Sequence, residues 1–71
     1  MNSEQVLIHV RFSPDGTVVE IGDRPWSLTG QSWFNLLNEQ ADATYQALAG
    51  GRAVFRLPRE TIDTLKLAAV N

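Results

Sequence analysis

Seventy-one residues make room for one domain spanning 1–71, and at this size folding hides only about 60% of the surface that the unfolded chain exposes. The chain has no cysteine, which excludes a disulfide framework and thiolate metal clusters and makes self-association the natural source of extra stability. An apolar content of 44% against 20% charged residues excludes wholesale disorder, and a net charge of -2 opposes a general attraction to nucleic acid or anionic membrane while leaving a local basic patch open.

No apolar run approaches the roughly 18 residues of a membrane span. The first residues, Met1 to Gln5, lack the basic region of a signal peptide, so a cytoplasmic location is expected. From Val6 to Phe12 the alternation predicts a strand with Val6, Ile8, Val10 and Phe12 on one side and Leu7, His9 and Arg11 on the other. Ser13-Pro14-Asp15-Gly16 is turn chemistry, and the β-branched run from Thr17 to Ile21 predicts the return strand of a hairpin. The register that keeps both strands amphipathic sets Phe12 against Thr17, Val10 against Val19 and Ile8 against Ile21, and places His9 beside Glu20. The competing arrangement, a three-residue loop with a glycine bulge, would join Ser13 to Thr17 instead.

After Gly22-Asp23-Arg24-Pro25, either Thr29 or Ser27 can cap a helix by offering an oxygen to its first N–H groups. That helix is expected over about residues 30 to 49, with Phe34, Leu37, Ala41, Tyr45 and Leu48 as its apolar stripe and Gly50-Gly51 as its stop. Arg52 to Leu57 alternates as a third strand ended by Pro58, and a last helix is expected from about Arg59 to Ala69 with Ile62 and Leu65 inward. The fold class is α+β in ββαβα order, a three-stranded sheet with two helices packed on one face. Its expected core is Ile8, Val10, Phe12, Val19, Ile21, Phe34, Leu37, Leu48, Phe55, Leu57, Ile62 and Leu65.

The uncovered side of such a sheet would carry Leu7, His9, Arg11, Val18, Glu20, Val54 and Arg56. Leu7, Val18 and Val54 among charges have the makeup of an interface, and a second copy of the same chain is the economical partner. The alternatives are that the three are scattered surface hydrophobes or lie under the chain's own last helix.

Chemistry-bearing groups are few. His9 opposite Glu20 is the beginning of a general acid/base pair, but without a nucleophile beside it the ordinary reading is a cross-strand surface pair. Glu39 and Asp42 fall on the wet side of the expected helix, and no ligand cluster for a metal or binding loop for a cofactor is recognisable, so no catalytic residue, metal or cofactor is assigned. Arg52 and Arg56 share a strand side and Arg59 follows, a local patch suited to phosphate. The run from Arg52 to Leu65, strand then proline-started helix, resembles the opening half of a ribbon-helix-helix repressor, whose paired strands enter the major groove. The second helix of that family has no counterpart, so the resemblance serves as an analogy for how Arg52 and Arg56 would meet DNA. Trp26 and Trp33 bracket the start of the first helix, where packing back onto its first turns is the commoner role and a recognition surface the other. The leading expectation is therefore a non-enzymatic protein-interaction module that forms a homodimer through Leu7, Val18 and Val54. A nucleic-acid-binding regulator using Arg52, Arg56 and Arg59 comes second, and a small enzyme resting on His9 and Glu20 third.

Overall fold

A computed structural model of the chain describes residues 4–69. Its elements are β1 (Gln5–Phe12), β2 (Val18–Ile21), α1 (Gly30–Asn38), β3 (Thr44–Leu48), β4 (Arg52–Pro58) and α2 (Arg59–Ala69). The strands form one antiparallel sheet in the order β2-β1-β4-β3, with both helices against one side, so the α+β class holds and the sheet gains a fourth strand.

The extra strand replaces the second half of the expected 30–49 helix. Thr29 caps α1 as expected, its Oγ1 accepting from the Ser32 N–H at 3.1 Å. The helix then stops at Asn38, where the Glu39 and Gln40 N–H groups reach back only three residues, to Leu36 and Leu37 at 3.2 Å each, and the Gln40 side chain occupies the Leu36 carbonyl. Tyr45 and Leu48 lie beyond it on β3. Gly50 and Gly51, at φ +79° and +71°, are the turn between β3 and β4 and not a helix stop.

The first hairpin also departs from the expected register. Ser13 N–H donates to Thr17 O at 2.9 Å and Gly16 N–H to Ser13 O at 2.9 Å, with Gly16 at φ +89°, which is the three-residue loop with a glycine bulge. A second irregularity follows: Arg11 pairs with Glu20 but Phe12 with Val18, which leaves Val19 as an extra residue. The bulge turns both Val18 and Ile21 toward the helices although they are three residues apart, an arrangement strict alternation forbids.

Pairing of β1 with β4 sets Val6 against Leu57, Ile8 against Phe55 and Val10 against Ala53, and these six residues form the sheet's contribution to the core. Trp33 and Leu37 of α1 and Ile62 of α2 close it from above. Phe34 lies edge-on to Phe12, Tyr45 and Phe55 at centroid distances of 5.5, 6.1 and 5.4 Å, tying α1 to three strands. Val19 and Leu48, expected in the core, are exposed, and Val6, Trp33 and Ala53 are buried in their place.

Candidate functional site: the open face of the sheet

The side of the sheet away from the helices is built from alternate residues of all four strands. Leu7, His9 and Arg11 of β1 lie directly opposite Arg56, Val54 and Arg52 of β4, and these in turn lie opposite Thr44, Gln46 and Leu48 of β3. Leu7 is 49% exposed, whereas Val54, at the centre of the face between His9 and Gln46, is only 8% exposed. Val18 is not with them. The bulge at Val19 places it on the helix side, partly buried against the core, and the trio Leu7, Val18 and Val54 does not form one surface. Leu48 takes the third apolar position instead.

Arg11 and Arg52 are direct cross-strand neighbours. Like charges so placed are unfavourable. One side is relieved by Glu20, whose Oε1 accepts from Arg11 Nε at 3.0 Å and meets a second guanidinium nitrogen at 2.9 Å. Arg52 donates from Nε to the Ala49 carbonyl at 3.3 Å, and Arg56 stands four residues further along the strand, about 13 Å away at the strand rise per residue. Glu20 is the only carboxylate in the four strands, so this face carries three guanidinium groups against one carboxylate in a chain whose total charge is negative. At the β2 edge a concavity of about 980 Å³ is bordered on this face by His9, Arg11, Glu20 and Arg52 and reaches round to Val18, Ile21 and Gly30 on the helix side. Arg59 is not part of this row: it starts α2, and its N–H donates to Glu4 O at 2.8 Å at the end of the sheet.

The other sequence candidates separate. His9 faces Val54 and not Glu20, and the Glu20 carboxylate is engaged by Arg11, so the acid/base pair is not assembled. Asp42 lies past the end of α1 and accepts from the Thr61 hydroxyl at 2.5 Å, which parts it from Glu39, the residue that caps the helix C-terminus. Among the described residues no three His, Asp or Glu side chains gather in a group that could hold a metal. The tryptophans divide as well. Trp33 is fully buried and its indole N–H donates to Gly22 O at 3.0 Å, while Trp26 is 83% exposed in the preceding loop.

β4 is paired on both sides, with β1 and with β3, so it cannot join a second β4 in the two-stranded ribbon of a ribbon-helix-helix dimer. No helix among the described residues is long and apolar enough to cross a membrane. The opposition of Arg11 and Arg52 and the position of Leu48 escape a reading of local patterns because they depend on which distant strands pair. One local signal points to them: Gly-Gly between two short runs rich in strand formers marks a hairpin. Comparison of the chain with protein-family models, with curated proteins and with solved structures found no match.

Proposed function

We propose that the chain is a non-enzymatic protein-interaction module whose open sheet face receives an acidic, partly apolar surface of a partner protein. The observation that carries this reading is the placing of the exposed Leu7 and Leu48, with the nearly buried Val54 between them, among Arg11, Arg52 and Arg56 on an uncovered face. Arginine and large apolar groups are the residues that interfaces use, and an anionic partner would relieve the repulsion between Arg11 and Arg52. The same charges count against two copies meeting through this face, since stacking it on itself would set arginines against arginines. The test is fluorescence anisotropy with a labelled peptide alternating Glu and Leu. Saturable binding at low salt that weakens roughly tenfold in Arg52→Ser/Arg56→Ser, and again in Leu7→Asp, is the expected result. Equal binding by wild type and both variants, or no binding at all, overturns it.

A second reading is favoured by the spacing of the arginines, which suits phosphates along a nucleic acid backbone. The open face carries no Phe, Tyr or Trp, so stacking on single-stranded bases has no platform there, and a duplex is the probe to use. Three phosphate contacts predict that log affinity falls against log salt with a slope of about -2.7. Binding to duplex with that slope, and none to the peptide, would move the assignment to nucleic acid.

A further inference from the structure

The sheet has two edges, and they are finished differently. β2 is four residues long, interrupted by the bulge at Val19, charged at Glu20, and tied to α1 by the Gln31 side chain, whose Oε1 accepts from the Val18 N–H at 3.3 Å. Those are the devices by which proteins keep an edge strand from pairing with another chain. β3, one residue longer, has no bulge, no charge and, among the described residues, no such tie. Thr44-Tyr45-Gln46-Ala47-Leu48 contains no charge and no proline, pairs with β4 in an unbroken register, and is exposed at every residue. Among the described residues no hydrogen bond from the rest of the chain reaches its outer side, so its outward N–H and C=O groups are left to solvent or to a partner.

We infer that β3 is the seat of a symmetric dimer, in which two copies of this chain pair β3 with β3 antiparallel and join two four-stranded sheets into one of eight. The two-fold axis stands perpendicular to the sheet, because opposite residues of an antiparallel pair point to the same side and this operation keeps both sets of helices together. Centred on Gln46, the register pairs all five residues, and any other symmetric register leaves at least two of them unpaired. Tyr45 then lies opposite the partner's Ala47 and Thr44 opposite the partner's Leu48, each a large side chain beside a smaller one, twice over. No like charges meet, in contrast to the arginine-bearing face. Gln46 meets the partner's Gln46, and two amides can each donate and accept. The occupant is a second copy because the edge is complementary to itself in side-chain size and carries no charge that would repel its copy. A single short strand pair buries less than a standard interface of about 1,600 Å², so a dissociation constant on the order of 10 μM is expected. This inference does not rest on the proposed function, although the dimer would set two arginine faces side by side.

Sedimentation equilibrium over about 1 to about 300 μM tests the association directly, with the dimer expected to dominate at the upper end. The absence of native cysteine permits a sharper assay, since Gln46→Cys carries one thiol at the axis, where directly opposed Cβ atoms lie about 4.5–5.5 Å apart, close to disulfide reach. Under mild oxidation Gln46→Cys is expected to convert mostly to covalent dimer, while Val19→Cys on the other edge does not. Gln46→Lys, which opposes two ammonium groups on the axis, is expected to raise the dissociation constant at least roughly tenfold with the circular dichroism spectrum unchanged. A wild-type chain that is monomeric at the highest concentration overturns the proposal, including when it takes up a foreign extended peptide at this edge. Equal cross-linking of Gln46→Cys and Val19→Cys overturns it as well, and both cysteine assays decide the matter even if Gln46→Lys fails to fold.

Discussion

The β1–β2 turn is held by side chains, whereas the β3–β4 turn is held by glycine backbone. In the first, the Asp15 carboxylate accepts from the Ser13 hydroxyl, from the Thr17 hydroxyl at 2.8 Å and from the Thr17 N–H at 3.1 Å. In the second, Gly50 and Gly51 take left-handed conformations, and the Gly51 carbonyl accepts from Phe12 N–H at 2.8 Å. The strands beyond the turns follow suit. β2 leaves its turn through a bulge and is held to α1 by the Gln31 bond to Val18 N–H and the close approach of Val18 to Gly30, with Trp33 bonded to Gly22 O just beyond it, while β3 keeps an unbroken register and meets the helix layer through the ring of Tyr45. One hairpin is thus closed against further pairing and the other is left open to it. Irregularity and charge, more than sequence hydrophobicity, set the two edges of this sheet apart.

The largest effect is expected where the closed hairpin is pinned. Trp33→Ala removes a fully buried ring and the donor to Gly22 O, and should cost about 3–5 kcal/mol, most of the stability a domain of this size has. Trp26→Ala, in the same loop-to-helix region but 83% exposed, should stay within about 0.5 kcal/mol. Urea denaturation of the two variants checks the contrast, and comparable losses would show that the loop packs more closely than the Ser27 hydroxyl bond to Ala69 O accounts for.

On the open hairpin the backbone should carry the load. Gly51→Ala places a Cβ 3.6 Å from Phe12 O, ordinary contact, so the cost comes from holding a non-glycine residue at φ +71° and should be about 1–2 kcal/mol. Thermal unfolding of the variant measures it. A change near zero would mean that the turn relaxes to another form and that the β3–β4 register depends on the strands alone.

Much of this architecture was legible in the sequence, and the parts that were not share a cause. β1 alternates cleanly in burial, β4 does so apart from the buried Val54, Thr29 marks the start of α1, and Pro58 marks the passage into α2, all local signals. The end of α1 was hidden because Ala41, Tyr45 and Leu48 continue the three-and-four spacing of Phe34 and Leu37 by coincidence, while Gly50-Gly51 suits a helix stop as well as a hairpin. The bulge at Val19 leaves no trace, since two adjacent valines serve either register. Of the open face, its arginines and Leu7 were legible from alternation in single strands. Val18 was misplaced by the bulge, and the meeting of Arg11 with Arg52 required the non-local pairing of β1 with β4.

The smallest effect is expected at the closed turn itself, and it appears as a pH dependence. The Ser13 hydroxyl, foremost, then the Thr17 N–H and hydroxyl, stabilise the charged form of Asp15 and lower its pKa from 3.8 to about 2. A carboxyl group whose pKa is lower in the folded chain binds protons more readily when unfolded, so its contribution is complete above the ordinary value and is lost as pH falls through about 2. Asp15→Asn keeps an acceptor oxygen but removes the charge, so it should flatten the part of the stability profile that falls in this window. The carboxyl carbon resonance of Asp15 should titrate near 2 in the folded chain. A midpoint at the ordinary value would mean that Ser13 and Thr17 do not hold the carboxylate in solution. The closed turn would then depend on Gly16 as the open one depends on Gly50 and Gly51, and the two hairpins would differ in their strands alone, through the bulge at Val19 and the bonds that tie β2 to α1.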